Sequence, residues 1–410
     1  CWEGGIMFQG VVHGNVAFMI IATVLVFIMT PGLAFFYCGL VEKKNSLTIL
    51  VEIFLSIGVV TIMWIFGGFS FVFGKDISGL GLLGDPREYF AFKHIVFAVN
   101  SQYGLTIPFL MFFMYQLMFA IITLPLMTGT IVNRIRIKGW IIFLIIWMVT
   151  VYFPVAHWIW GDGFLHRMGF VDFAGGTVIH VSAAFSGLGA LFVLGKRKII
   201  SKKAPFNLGW VALGGALLLF GWFGFNTGGT LSAAGVAAIV FTNTGVAASA
   251  GMVVWTYLGY REKKHISFVD SLVGAIAGLA TITPASGYVN PLSAFIIGGI
   301  AGFICFYAIK IPHKLEWDDV LDVWGVHGVG GFLGTILIGV FANHLINGID
   351  SGIHQFSIQL LGASLVAVYS FILTVIIFKI LDKSLDLRVT KEELEVGLDK
   401  SLLNEYFEEN

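Results

Sequence analysis

The chain has 410 residues, of which 57% are hydrophobic and only 12% charged, with 24 Lys and Arg balanced by 24 Asp and Glu. A soluble domain carries about 25% charged residues, so an ordinary globular protein is excluded, and the balanced charge gives no basis for a nucleic-acid partner. Cys1, Cys38 and Cys305 fit neither a disulfide framework nor a metal cluster. Cys1, with no initiator Met and no basic stretch before it, reads as a residue left after a leading segment is removed; a lipidated Cys1 is the weaker alternative.

Apolar stretches long enough to cross about 30 Å of hydrocarbon as helix fall in chain order at 14–40, 46–74, 105–132, 139–160, 172–195, 208–229, 233–260, 266–283, 291–309, 322–343 and 356–381. The expected fold is therefore an all-α polytopic membrane protein with eleven transmembrane helices. Basic residues test the threading, because Lys and Arg collect on the cytoplasmic side. Only Lys75, Arg87, Lys93 and Arg167 fall on one side, and every other Lys and Arg falls on the opposite one. The N-terminus is then outside and the C-terminus cytoplasmic, as an integral protein of the cell (inner) membrane.

Setting the last helix aside leaves two sets of five, about 14–195 and 208–343, within a membrane domain 1–383 followed by a cytoplasmic tail 384–410. A repeat of odd helix number must be inverted relative to its copy. Parity and a few corresponding residues carry this inverted 5+5 arrangement, not similarity between the halves. The 51 glycines recur within helices, where small residues let backbones pack closely in lipid.

His180 lies in the fifth span, eight residues after Asp172, and His327 in the tenth, nine residues after Asp318. Both approach the midplane, from opposite faces. Residues three, four and seven positions on are Ala183, Ala184 and Gly187 in one case and Gly330, Gly331 and Gly334 in the other, so each histidine sits on a small-residue face. Such faces pack helices together or leave a narrow lumen, and ionisable residues within a membrane are functional by default. A neutral imidazole pair can share a hydrogen bond and still offer one donor and one acceptor to a small polar molecule. Asp172 and Asp322 stand at helix N-termini, where a carboxylate caps the helix; Asp172 would also attract a cation to the outer mouth. Phe119, Trp160 and Phe225 offer aromatic faces to a cation or serve only as core.

No enzyme or energy-coupling motif is present. The run from Gly189 to Gly195-Lys196 has the wrong spacing for a phosphate loop and no Ser or Thr after the Lys, and no cofactor is expected.

The strings Asp172-Phe-Ala-Gly-Gly-Thr-Val-Ile-His180 and Asp322-Val-Trp-Gly-Val-His-Gly-Val-Gly-Gly331 resemble those of the ammonium transporter family, related to the Rhesus proteins. The resemblance runs nearly the full length, through Thr30 to Tyr37, Gln116 to Phe119, Trp222 to Asn226, Thr283 to Gly287, Arg388-Val389 and Gly397 to Asp399. It implies a homotrimer with one pore per chain for ammonium or ammonia. It further implies that Phe119 and Trp160 form an outer recruitment site, Phe119 over Phe225 a gate, and His180 with His327 the pore pair, with Asp172 structural and electrostatic. Two departures stand out. Gly229 occupies a recruitment position that is commonly Ser, and after Asp399 the family's usual run is replaced by residues 400–410, which read as a continuing acidic amphipathic helix. Two functions remain open: an ammonium transporter, and an ammonium sensor that signals to a cytoplasmic regulatory protein or fused signalling domain. A gas or water channel ranks behind both.

Overall fold

The computed structural model describes residues 10–199 and 205–407. Cys1, Lys202, Lys203 and the last three residues of the tail lie outside them. The described chain is built almost wholly from helices: α1 (His13–Leu40), α2 (46–73), α3 (Phe109–Ile131), α4 (137–160), α5 (Gly176–Leu194), α6 (Leu208–Thr227), α7 (Gly235–Lys263), α8 (Phe268–Ile282), α9 (Pro291–Ala308), α10 (Trp324–Phe341) and α11 (Ile353–Ser384). These are the eleven expected spans. α8 is the short one, with 15 residues or about 22 Å of helix. The buried turns of 283–287 follow it, and irregular backbone is tolerated at membrane depth only where protein covers it.

Differences from the expected bounds have local causes. α2 is broken near its end, where Phe66 leaves helical geometry and Gly67 takes φ 127°. The third span begins at Phe109, because Gly104–Pro108 is a strand (β2) paired antiparallel with Val99–Asn100 (β1). α4 carries a π-helical turn at Met148–Tyr152 just before Pro154. The fifth span begins at Gly176 rather than 172, for a reason that belongs to the site.

α1 lies along α6, and α5 against α10. Glycine makes both approaches possible. A Cβ on Gly214 would strike the backbone of Phe36 and Gly32 in α1, and one on Gly331 of α10 would stand 2.9 Å from the His180 Cβ. In lipid, where apolar surface gives no driving force between helices, contact at this range is what dispersion attraction requires.

The loops divide by charge. One face, called here the basic face, carries Lys43, Lys44, Arg134, Arg136, Lys196 to Lys198 and the C-terminal segment. There α12 (Lys391–Val396) and the turn Asp399–Leu403 dock on the start of α2. The Asp399 carboxylate accepts from the backbone amides of Leu47 (3.0 Å) and Thr48 (2.8 Å) and from the Thr48 hydroxyl. Lys44 Nζ donates to the carbonyl of Leu394, and Arg136 forks onto Glu393. The continuing helix expected over 400–410 does not form among the described residues. The helical turn ends at Leu403 and Asn404 takes φ 55°.

Gly214→Val should lower the thermal melting temperature of the detergent-purified protein, because the added branches meet main chain that cannot rotate away. A cost of about 3 kcal/mol fits overpacking of this kind, and an unchanged melt would show that α1 and α6 can separate freely.

Candidate functional site

Two cavities follow one another through the bundle. On the face opposite the basic one, a vestibule of about 310 Å³ is lined by Phe119, Trp160, Gln116, Tyr103, Gly229 and Asn347, among others. Deeper lies a narrow cavity of about 30 Å³, lined by Phe225, Trp222, His180, His327, Tyr37 and Leu321 together with aliphatic side chains. The rings of Phe119 and Phe225, 4.6 Å apart between centroids, stand between the two. Both side chains are almost wholly buried.

The start of α5 sets this geometry. The first amides of a helix have no intrahelical acceptor, and in α5 they are buried. The Asp172 carboxylate supplies what they lack. Its Oδ1 accepts from Gly175 (2.9 Å) and Gly176 (2.7 Å), and its Oδ2 from Thr177 (2.7 Å) and Val178 (3.0 Å). Reaching that position requires Gly175 at φ 105°, a left-handed conformation open to glycine, and this is why the helix begins four residues later than its apolar pattern. With four amides on it, the carboxylate has no lone pair directed at a ligand. The carbonyl of Asp172 also accepts from Trp160 Nε1 at 2.9 Å, holding the Trp160 ring edge-on to Phe119 at 5.9 Å.

From that start α5 runs first as a π-helical turn, Gly176–Val181, and His180 lies within it. α10 begins the same way, with His327 in the π-helical turn Trp324–Gly328. π turns are rare and concentrate at functional sites. The two imidazoles stack at 5.1 Å with 28° between their planes, and His180 also stacks on Trp222 at 5.4 Å. The shared hydrogen bond expected of the pair is not formed. Nδ1 and Nε2 of His180 and Nδ1 of His327 are buried with no hydrogen-bond partner among the described residues.

Asp322 does not cap α10. Its backbone takes φ 56°, which carries the carboxylate outward to His313 Nε2 at 2.9 Å. The cap comes from Asp319, whose Oδ2 accepts from the Trp324 amide at 2.8 Å. Asp319 was missed in the sequence, although the signal is there: Asp319 precedes His327 by eight residues, as Asp172 precedes His180. Gly229 lies at the vestibule beside Phe173, where an added Cβ would stand 3.1 Å from the Phe173 ring and 3.2 Å from its carbonyl. The vestibule's polar side chains Gln102 and Asn347 are marked by no spacing in the sequence, and Gln116, which opens one of the family-like strings, lines it with them. No cluster of metal-ligating side chains occurs among the described residues.

The family model of the Ammonium Transporter Family matches residues 17–406. The chain is 40% identical to an ammonium transporter of Bacillus subtilis over 96% of its own length and 98% of the relative's. It is 42% identical to one of Aquifex aeolicus over 96% and 92%. Among solved structures it is similar to Saccharomyces cerevisiae Mep2 (TM-score 0.87, 33% identity, 94% of this chain and 89% of that one). It is similar to a sensor Amt protein to the same degree (0.86, 31%, 94% and 97%). An eleven-helix membrane protein with an axial chain of cavities thus has its class: the chain belongs to the ammonium transporter family, a family of transport proteins and not of enzymes.

Asp172→Ala would leave four buried amides without an acceptor. At about 1–3 kcal/mol for each unsatisfied group, the variant is expected to lose several kcal/mol and to melt far below the wild type, or not to accumulate at all. Wild-type melting would mean that the start of α5 is held by other contacts.

Proposed function

We propose that the protein carries ammonium nitrogen across a cell membrane, taking up ammonium in the vestibule and passing ammonia through the narrow cavity. The observation that carries this reading is the pair of buried imidazoles with unpartnered nitrogens beside a cavity of about 30 Å³. That volume holds about two water-sized molecules and no full hydration shell. A cation entering it would have to leave its water behind, at a cost of several kcal/mol or more. Ammonium alone among the common monovalent cations can shed a proton, and ammonia fits both the space and the mixed donor and acceptor capacity of neutral imidazoles.

In this reading Phe119 and Trp160 stabilise the cation by their ring faces, worth about 0.5–2 kcal/mol, and Phe119 over Phe225 closes the way to water. Asp172 acts through the helix it starts, and its charge lies beneath the vestibule. The charge asymmetry of the loops supports a cytoplasmic basic face and an external N-terminus. The family resemblance supports a homotrimer with one path per chain, two inverted halves and a tail that regulates from the cytoplasmic side.

A second reading, an ammonium sensor with little or no flux, draws on the likeness to the sensor Amt protein and on Gly229, which leaves the vestibule without a hydroxyl at that position. Ammonium-evoked current in proteoliposomes separates the two. Transport predicts a current and methylammonium uptake; calorimetric ammonium binding with neither would overturn transport in favour of sensing. His180→Ala with His327→Ala should leave a folded oligomer with altered flux and lost discrimination against potassium, whereas wild-type behaviour would reduce the pair to packing.

Gly229→Ser tests the vestibule. A hydroxyl accepting from ammonium contributes on the order of 1 kcal/mol, which corresponds to an apparent KM about three- to tenfold lower, provided the Phe173 ring yields a few tenths of an ångström. A raised KM would place ammonium elsewhere in the vestibule.

A further inference from the structure

Helical spacing sets which side of α3 faces the vestibule. Phe112, Tyr115, Gln116 and Phe119 all line it, and counted from Phe112 they recur after three, four and seven residues, the spacing of a single helix face. Three of the four are aromatic, and Gln116 alone brings an amide to this face. α3 runs from Phe109, beside the strand pair, toward the basic face, so Gln116 stands one turn above Phe119 and about 4.5 Å nearer the mouth. It is partly buried, and its carboxamide has no hydrogen-bond partner among the described residues. The polar groups around it are engaged. The Tyr115 hydroxyl donates to the Phe225 carbonyl at 2.8 Å, Gln102 Nε2 to the Tyr103 hydroxyl at 3.1 Å, and Trp160 Nε1 to the Asp172 carbonyl. The Asp172 carboxylate carries four amides, and Gly229 brings no side chain. His166 and Asn347 also line the vestibule, but as exposed residues. The Tyr288 ring stands edge-on to Phe173 at 5.6 Å, on the Gly229 side.

We infer that the carboxamide oxygen of Gln116 is the side-chain acceptor that receives ammonium in the vestibule. The inference rests on the reading that ammonium enters there. Ammonium is a cation with four N–H donors and no acceptor. The ring faces of Phe119 and Trp160 attract its charge but give its donors no directed partner. An oxygen one turn above them supplies what the rings lack, since a glutamine carbonyl accepts through two lone pairs and carries no net charge. One N–H then donates to Gln116 while the rest of the cation lies toward Phe119 and Trp160, whose rings meet edge-on at 5.9 Å.

A neutral oxygen suits a site that has to release what it holds. A hydrogen bond from a charged donor is about twice as strong as one between neutral groups, which helps ammonium to leave its water at the mouth. A carboxylate at the same point would bind more tightly. It would also favour the charged form of its ligand and so oppose the loss of the proton that passage through the narrow cavity demands. The location limits the role to capture, because the rings of Phe119 and Phe225, 4.6 Å apart, stand between the vestibule and the histidines.

The test is the concentration dependence of ammonium current in proteoliposomes near neutral pH, with calorimetric ammonium binding and the melting temperature measured on the same purified proteins. Gln116→Leu removes the acceptor at similar volume. It should raise KM and Kd about tenfold and leave the maximal current and the melting temperature little changed. Gln116→Glu should act on binding in the opposite direction, lowering KM about tenfold, while the maximal current falls because the carboxylate retains the charged form. That split separates an acceptor from a packing residue, which both substitutions would perturb in the same direction. Gln116→Leu with wild-type KM and Kd would overturn the inference, and so would Gln116→Glu with a raised or unchanged KM; conduction itself would stand in either case. A wild type that binds ammonium but carries no current would instead overturn the transport reading, and the Kd values of the two variants would then decide the inference by themselves. Should Gln116→Leu fail to fold, the direction of the Gln116→Glu shift decides alone.

Discussion

Everything in this molecule that is placed with accuracy depends on how a buried helix begins. A helix exposes its first amides, and in a bilayer no water reaches them, so an interior helix start must be given acceptors by the protein itself. Carboxylates meet this requirement at three points. Asp172 caps α5, Asp319 caps α10, and Asp399 reaches from the C-terminal segment to the first amides of α2. A carboxylate suits the task because each oxygen accepts two bonds and its charge complements the positive end of the helix. Once these three starts are fixed, the positions of His180, His327 and the docked tail follow from helical geometry.

The cap on α5 also ties its surroundings together. The Asp172 carbonyl holds Trp160, the amide of Phe173 donates to the Pro284 carbonyl, and Gln359 of α11 bonds Val171 on both its amide and its carbonyl. Thr177 and Thr335 share a hydrogen bond at 2.9 Å where α5 crosses α10. Vestibule, aromatic partition and histidine pair are thus connected through main-chain contacts. A side chain on Gly331 would drive α10 from α5, and one on Gly334 would strike the Thr281 carbonyl of α8, which explains why small residues follow His327.

Much of this was legible beforehand because lipid restricts what a sequence can do. Spans of roughly fixed length and a basic bias of alternate loops are imposed by the solvent, and the eleven helices and the two histidine-bearing spans follow from them. The ends of the elements were less legible, for reasons that are local. The apolar pattern includes Phe173 and Ala174, yet these residues are not helical, because Asp172 must fold back over the amides of 175–178. The pattern before α10 made Asp322 look like a cap, while its left-handed backbone turns it to His313 and leaves the duty to Asp319. The π turns and the stacking of the imidazoles have no signature in hydrophobic periodicity, and the stacking forms only where α5 meets α10. The vestibule's Gln116 and Asn347 come from distant segments, and only the fold brings them to one surface.

The imidazoles are among the buried polar side chains that have ring nitrogens without a hydrogen-bond partner among the described residues. Several other buried polar groups are matched: Trp147 Nε1 with Ser186, Trp222 Nε1 with Thr283, Asn243 Nδ2 with two carbonyls, Tyr115 with the Phe225 carbonyl. Leaving ring nitrogens of both histidines unmatched costs about 1–3 kcal/mol for each, and nothing in the packing of α5 on α10 requires it, since a hydrocarbon side chain would fill the same volume without the penalty. Beside them Trp222 is anchored by its Nε1 on the Thr283 hydroxyl, and the Tyr115 hydroxyl donates to the Phe225 carbonyl. Open donors and acceptors on stacked rings are what the proposed passage of a small polar molecule requires. In the proposed conduction, their energetic cost is the same quantity that would favour a polar guest.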